Sequence, residues 1–175
     1  MSTKILALCG SLRSVSMNAA LLRAAARLAP PGIHVELFDG IGLLPLFNPE
    51  LEAAMPAPVR ALHQQIASSD ALLIASPEYA HGVTGVLKNA LDWLVSFEGF
   101  VGKPVAIFNA SPRSVHAEAA LREILTTMSA TLLDGACLAL PLRGTGITEQ
   151  GILDSGHAAD IGRALALLAS GAPHI

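Results

Sequence analysis

Short apolar segments alternate along the chain with longer amphipathic segments, and this alternation predicts strands and helices in turn. Residues 4–9, 71–75 and 104–109 are continuous apolar runs, which is typical of strands covered on both faces. The predicted strands are residues 4–9, 33–38, 71–75, 104–109 and 136–140. The predicted helices are residues 16–28, 59–68, 83–95, 115–130 and 157–169, from apolar positions at helical spacing.

Five strands in alternation with five helices favour a three-layer α/β/α sandwich around a parallel sheet. Residues 40–58 are rich in proline and predict a long loop with one helical turn at 50–54. The length of 175 residues predicts that residues 1–175 form a single domain.

Composition narrows the possible partners. Apolar residues make up 52% and charged residues 14% of the chain, which excludes a disordered protein. The net charge of −3 argues against nucleic acid and against a polybasic membrane anchor. The longest stretch without Asp, Glu, Lys or Arg, residues 164–175, is too short to cross a bilayer, and the apolar run at 5–9 is too short for a secretory signal.

The two cysteines show neither CxxC nor metal-ligand spacing. Cys9 and Cys137 both lie in apolar runs, which predicts buried, reduced thiols and no metal site. Reduced thiols are in keeping with a cytoplasmic protein.

Residues 10–18 follow the first predicted strand and lead into the first predicted helix. Gly10 permits a tight turn, and small polar side chains then surround a helix N-terminus whose N–H groups lack partners, as in an oxyanion or phosphate site. The equally weighted alternative is that Ser16 only caps the helix. Neither a Walker A loop nor a GxGxxG fingerprint is present, so a monophosphate is the favoured ligand.

Two further loops follow predicted strands. In residues 76–85, glycines and Pro77 suit the close approach of a flat ligand, and Tyr79 is expected at this edge rather than in the core. The alternative is that Glu78 and His81 are solvated loop residues and that Tyr79 packs on a neighbouring helix. The loop at residues 110–116 offers Arg113 and two hydroxyls, or it is simply a loop with a helix cap at Ser114.

The three loops are more informative when they are considered together. If the strand order is 2-1-3-4-5, the strands before these loops are neighbours, and the loops meet at one site. A phosphate joined to a planar ring is a mononucleotide-like ligand, of which flavin mononucleotide (FMN) is the main example in such sheets.

The motif GSLRSVSMN at residues 10–18 and the block SPEYAHGVTGVLKNALDWL at 76–94 closely resemble the NADPH-dependent FMN reductase family. This flavodoxin-like family includes flavin, quinone, azo-dye and chromate reductases. The run LPLFNPE at 44–50 is also similar. The resemblance implies a five-stranded sheet of order 2-1-3-4-5 and FMN as cofactor.

Site residues follow from the matching positions. The resemblance implies that the FMN phosphate is held at the first loop and the isoalloxazine at the second, largely through backbone. The implied cofactor-binding residues are Ser11, Arg13, Ser16, Met17, Asn18, Pro77, Glu78, Tyr79, Gly82 and Ser111. Two positions depart from the family pattern: Ala80 stands where many members have Asn, and Thr84 where many have Pro.

The implied activity is a ping-pong transfer of electrons from NADPH or NADH through FMN to a small-molecule acceptor. The flavin carries the chemistry, so no catalytic side chain is assigned, and His81 is a weak candidate for a proton donor. Arg13 and Arg113 are candidates for binding a 2′-phosphate. The alternative function is a flavodoxin-type electron carrier without NAD(P)H activity.

The family is commonly dimeric or tetrameric, so a homodimer or homotetramer is expected. The predicted helix at 83–95 is unusually apolar, and Trp93 lies toward its flank, with Phe97 and Phe100 continuing the apolar surface. Trp93 either packs against a second copy in an isologous dimer or belongs to the ordinary core.

Overall fold

The fold is built on one parallel sheet, here in a computed structural model that describes residues 2–142 and 147–172. In chain order the strands are β1 (Thr3–Cys9), β2 (Ile33–Leu37), β3 (Ala71–Ala75), β4 (Glu78–Tyr79), β5 (Gly82–Val83), β6 (Pro104–Asn109), β7 (Thr131–Leu132) and β8 (Leu138–Ala139). The α-helices are α1 (Met17–Leu28), α2 (Ala57–Ala67), α3 (Gly85–Asp92), α4 (Val115–Thr127), α5 (Glu149–Leu153) and α6 (Ala158–Ser170).

The main sheet has the order β2-β1-β3-β6-β7, and β8 also pairs with β6. All of these pairs are parallel, with Ile5 opposite Val35 on one side and Ala71 on the other. The predicted order 2-1-3-4-5 and the α/β/α class are therefore confirmed, with β6 as the fourth strand.

The fifth strand differs from its prediction. Pairing with β6 occurs at Thr131–Leu132 and again at Leu138–Ala139, because a 3₁₀ turn at Asp134–Ala136 interrupts the strand. The strand predicted at residues 136–140 is therefore confirmed only at Leu138–Ala139, and the earlier segment β7 was not predicted. A short helix, α5, and the antiparallel hairpin of β4 and β5 were not predicted.

Two hydrophobic clusters cover the two faces of the sheet. Along β1, Ile5, Ala7 and Cys9 belong to the cluster that contains α1 and α6, whereas Leu6 and Leu8 belong to the cluster that contains α2 and α3. Because both faces are buried from Ile5 to Cys9, this part of the strand needs apolar side chains at every position, which explains its continuous apolar run.

Trp93 belongs to the second cluster and is only 1% exposed. Its indole Nε1 donates a 2.8 Å hydrogen bond to the carbonyl oxygen of Pro45, and its ring meets Phe47 edge-on at 5.0 Å between centroids. The core alternative is the one observed, and the expectation that Trp93 packs on a second copy was wrong. The helix is also shorter than predicted, because residues 82–83 form β5 and Thr84 caps α3.

No helix in the described part of the chain is long and apolar enough to cross a membrane.

Candidate functional site

Three loops emerge at the carboxyl edge of the sheet, after β1, β3 and β6. We call them the first loop (residues 10–16), the second loop (76–84) and the third loop (110–114). Because these strands are neighbours in the order β1-β3-β6, the three loops meet at one edge, as the sequence predicted. Ligands of open α/β sheets bind at such an edge, where the strand order reverses.

Close packing against the second loop requires glycine at Gly10. A Cβ added to Gly10 would lie 2.2 Å from Ser76 Oγ and 3.0 Å from Thr84 Oγ1, well inside van der Waals contact. The hydroxyl of Thr84 donates a 2.8 Å hydrogen bond to the Gly10 carbonyl oxygen. The first and second loops are therefore in direct contact at their bases.

The first loop ends at the N-terminus of α1. The hydroxyl oxygen of Ser16 accepts a 3.3 Å hydrogen bond from the N–H of Ala19, and the Ser16 carbonyl oxygen accepts from Ala20. Ser16 therefore caps α1, which is compatible with both alternatives stated for this residue. The helix geometry leaves the N–H groups of Met17 and Asn18 without an intrahelical partner, and the Ser16 hydroxyl proton is not used by the cap.

Asn18 is buried in the first turn of α1, with 8% of its surface exposed. Its Oδ1 has no hydrogen-bond partner among the described residues. Buried polar atoms almost always have a partner, so an orphaned amide at a helix N-terminus indicates that a ligand or water completes the site. If the Asn18 amide is rotated by half a turn about its last side-chain bond, the Nδ2 donor takes the place of the Oδ1 acceptor.

Arg13 lies in the first loop, three residues before Ser16, and lines the cavity between the first and second loops. Its side chain is exposed and makes no ion pair with any described residue, while its backbone N–H donates to the Ser11 hydroxyl at 3.4 Å. Burial raises the pKa of the neighbouring Cys9 thiol, which donates to the Ser11 carbonyl oxygen at 3.6 Å. At neutral pH the local charge is therefore positive, which suits an anion.

The second loop is a tight β-hairpin. Glu78 pairs with Val83 and Tyr79 with Gly82, so Ala80 and His81 form a two-residue turn. Both turn residues have positive φ, 49° and 57°, as a type I′ turn requires. The hairpin carries Tyr79 outward with 54% of its surface exposed, which confirms that this tyrosine lies at the edge and not in the core.

Glu78 joins the second loop to the helix that follows the third. Its Oε2 accepts a 2.8 Å hydrogen bond from the N–H of Ala117 in the first turn of α4. Ser114 occupies the cap position of α4, but its hydroxyl makes no capping bond within the described residues. The predicted cap position at Ser114 is therefore confirmed, but the capping hydrogen bond comes from the Glu78 side chain and not from Ser114.

The third loop is held by Asn109, a buried residue at the end of β6. Its Oδ1 accepts from the Ser111 N–H at 2.9 Å, and its Nδ2 donates to Glu118 Oε2 at 2.7 Å and to the Ser114 carbonyl oxygen at 3.3 Å. Glu118 also pairs with Arg122 at 3.0 Å. This amide therefore shapes the loop that presents Ser111.

His81 at the hairpin tip stacks on His116 of α4, with ring centroids 4.3 Å apart and planes 20° from parallel. The contact is a second link between the second loop and α4. It accounts for the position of His81 without a catalytic role.

An open cavity of about 370 Å³ lies between the first and second loops. This volume is in the range of small-molecule sites. Its lining residues are Gly10, Ser11, Leu12, Arg13, Tyr79, Thr84, Gly85 and Val86.

The sequence-predicted residues fall into two groups. Ser11, Arg13 and Tyr79 line the cavity. The others lie at the same edge of the sheet without lining it: Ser16, Met17, Asn18, Pro77, Glu78, Gly82 and Ser111. The sequence did not assign Thr84 or Asn109, although a Thr directly before a helix is a typical cap signal.

The family model for NADPH-dependent FMN reductases matches residues 3–143. An NAD(P)H-dependent FMN reductase of Pseudomonas aeruginosa is 47% identical over 111 residues, 62% of this chain and 60% of that protein. A quinone reductase of Escherichia coli is 34% identical over 138 residues, 75% of this chain and 73% of its own.

One solved structure is similar over nearly its whole length. The flavoenzyme NAD(P)H:(acceptor) oxidoreductase of Paracoccus denitrificans superposes with a TM-score of 0.82 and 28% identity, covering 95% of both chains. The alignment with the first two curated relatives covers about three fifths of their length, 60% and 62%.

Proposed function

Because this chain belongs to the NADPH-dependent FMN reductase family, we propose that it is an FMN-dependent NAD(P)H oxidoreductase of the quinone reductase type. Its second substrate is a small acceptor such as a quinone, a free flavin, an azo compound or chromate. When bound, FMN supplies the redox chemistry by taking a hydride from NAD(P)H and passing electrons to the acceptor in a ping-pong cycle. The chain's own residues bind and orient the two ends of the cofactor.

The first loop suits the phosphate. The N–H groups of Met17 and Asn18, the hydroxyl of Ser16 and the guanidinium of Arg13 are all donors. The positive end of the α1 dipole favours the same anion. The orphaned amide of Asn18 is the strongest sign that this helix end binds a ligand.

The second loop suits the isoalloxazine ring. Tyr79 forms one wall of the cavity, and Gly85 and Val86 continue that wall. The carboxylate of Glu78 is already bonded to Ala117, so Glu78 contributes backbone groups rather than its side chain. Pro77 restricts the backbone of the loop, and Gly82 has no side chain that would block the ring. Ser111 contributes a hydroxyl from the third loop.

One observation carries the proposal: the first loop, which leads into the N-terminus of α1, and the second loop, which presents Tyr79, line the same cavity. A ligand that fills it has an anionic end and a flat apolar end, as FMN does. The reaction needs no protein nucleophile, and we assign no catalytic side chain.

Fluorescence titration with FMN, followed by NADPH and NADH oxidation with a benzoquinone acceptor, tests the proposal. Replacing Ser16 and Arg13 by Ala removes two charge-assisted contacts, each worth roughly 1.5–3 kcal/mol, and so raises the FMN dissociation constant at least about tenfold. Ser170→Ala and Arg163→Ala are matched controls, because neither residue lines the cavity. An FMN affinity unchanged by the Ser16 and Arg13 substitutions would remove the basis for this site.

The same assay distinguishes the proposed reductase from the rival function, a flavodoxin-type electron carrier. A flavodoxin-type carrier binds FMN but does not oxidise NAD(P)H at a useful rate. The rival is less supported because such carriers are usually strongly acidic, whereas this chain has a net charge of −3. Turnover with either nicotinamide excludes it.

We further propose that residues 1–175 form one domain, which acts in the cytoplasm as a homodimer or homotetramer. Free thiols at Cys9 and Cys137 support the location. Leu12, which lines the cavity, is a large apolar side chain with 64% of its surface exposed, which supports assembly on this edge. Light scattering of the FMN-loaded protein measures the mass directly.

A further inference from the structure

Thr84 is a buried residue between the first and second loops. Its side chain is 3% exposed, and the Oγ1 atom both donates to the Gly10 carbonyl oxygen at 2.8 Å and accepts from the Leu87 N–H at 3.4 Å. Gly10 begins the first loop, and Leu87 lies in the first turn of α3. One hydroxyl thus joins the first loop to the start of the helix that follows the second loop.

Among the described side-chain hydrogen bonds, the one between Thr84 and Gly10 is the one that joins the first loop to the second. A backbone bond lies beside it, from the Gly10 N–H to the Ala75 carbonyl oxygen at the end of β3. Both loops line the cavity, with Arg13 from the first and Tyr79 from the second. The Thr84 side chain therefore adds a contact between the two loops beyond the pairing of the strands that precede them.

We propose that Thr84 is a positioning residue that sets the spacing between the first and second loops, so that one ligand contacts both. The inference rests on the proposed function, because FMN is the ligand with a phosphate for one loop and a ring for the other. Loss of the Thr84 hydroxyl leaves the Gly10 carbonyl oxygen and the Leu87 N–H buried without partners, a situation that proteins avoid by moving the backbone. The first loop then shifts relative to Tyr79.

A ligand that spans both loops is sensitive to such a shift, whereas a ligand that uses one loop is not. Riboflavin has the ring of FMN and lacks its phosphate, so it does not use the phosphate donors at the first loop. The ratio of the FMN and riboflavin dissociation constants therefore reports the spacing. A purely structural role lowers the melting temperature and leaves this ratio unchanged.

The experiment uses Thr84→Val, which keeps the shape and removes the hydroxyl, and Thr84→Ser, which restores it. Thr84→Val is expected to raise the FMN dissociation constant about tenfold and that of riboflavin less than about threefold, while Thr84→Ser stays near the parent for both ligands. Ser76→Ala is the matched control, because it removes a neighbouring hydroxyl, 3.4 Å from Thr84 Oγ1, without touching the bond to Gly10.

A second readout needs no ligand. Hydrogen exchange of the first-loop amides in the FMN-free protein should quicken in Thr84→Val and not in Ser76→Ala, because only the former frees the Gly10 carbonyl. If Thr84→Val does not fold, Thr84→Ala makes the same comparison, since its smaller side chain leaves room for water at the unpaired groups.

The outcomes separate the two proposals. If the parent protein binds no FMN, the proposed function fails, and the hydrogen-exchange result still decides whether Thr84 holds the first loop. If the parent binds FMN and Thr84→Val weakens FMN and riboflavin equally, or weakens neither, the positioning role is overturned. Tenfold loss in Thr84→Ser, which retains the hydroxyl, also overturns it.

Discussion

The carboxylate of Glu78 accepts a hydrogen bond of 2.8 Å from the backbone N–H of Ala117, although the two residues lie in different parts of the site. Glu78 belongs to the hairpin of the second loop, and Ala117 to the first turn of α4. A negative side chain at the N-terminus of a helix accepts a hydrogen bond from a free N–H group and interacts favourably with the positive end of the helix dipole. The second loop is therefore anchored to the helix that follows the third.

Glu78→Ala removes this cap. The loss should lower the unfolding free energy by about 1 kcal/mol, within the usual range for a helix cap, and the melting temperature by about 2–4 °C. Glu123→Ala, which removes an exposed carboxylate of the same helix, should change neither. Thermal unfolding by circular dichroism measures both variants, and equal melting temperatures would show that the bond to Ala117 contributes nothing.

Ala80 and His81 hold left-handed backbone conformations that favour asparagine or glycine. Ala80→Asn should therefore raise the unfolding free energy by about 0.5–1 kcal/mol, because a type I′ turn favours Asn at this position. Ala80→Val adds a β-branched side chain at φ 49° and should destabilise the protein. Chemical denaturation of the two variants gives opposite shifts in midpoint; shifts of the same sign would contradict the strain argument.

The sheet could be predicted from sequence because its strands are buried on both faces. From Ile5 to Cys9 in β1 and throughout β3, every position is buried and needs an apolar side chain, which produces a run that no amphipathic helix shows. The hairpin of the second loop could not be predicted, because Ala80-His81 is not among the dipeptides that signal a tight turn. Its conformation is set by contacts with α4, which lie far away in the chain.

The site was predictable in outline and not in its internal contacts. Small polar residues after β1 and a helix start at Ser16 are local signals. The partners of Thr84 and Glu78, at Gly10 and Ala117, are separated from them by 74 and 39 residues. Such pairs depend on how the loops pack, and one sequence alone does not contain that information.

Trp93 illustrates the same limit, because helical spacing placed it at the flank of α3 without revealing what covers that flank. The loop of residues 44–47 covers it, and the Pro45 carbonyl oxygen accepts its indole hydrogen bond. Trp93→Phe should lower the unfolding free energy by about 1–3 kcal/mol through lost packing and a lost hydrogen bond. The melting temperature should fall equally at low and high protein concentration.

Val95→Ala is the control for Trp93→Phe, because Val95 is 66% exposed near the end of the same segment. It should leave the melting temperature within error of the parent. A fall in the mass of the assembly with Trp93→Phe, without a lower melting temperature, would restore the interface interpretation of this residue.

The two thiols make stability depend on pH. Burial raises the pKa of both Cys9 and Cys137 in the folded protein, whereas an unfolded cysteine titrates near about 8.5. Because the pKa of each thiol is higher in the folded protein, the unfolded chain loses these protons at a lower pH than the folded protein does. The stabilisation is therefore fully present below about pH 8.5 and is lost as the pH rises through the folded pKa, by at most about 1.4 kcal/mol per pH unit and thiol.

Replacing Cys9 by Ala and Cys137 by Ser should consequently flatten the dependence of unfolding free energy on pH between about 7.5 and 9.5. Lys103, whose pKa burial lowers, is common to the parent and the variant, so its contribution cancels in the difference. The Sγ of Cys137 accepts a 3.3 Å hydrogen bond from the Ile107 N–H. Ser is chosen at this position because its hydroxyl can accept the same bond. Denaturant titrations at a series of pH values measure the two slopes, and parallel curves would mean that neither thiol is held protonated by the fold.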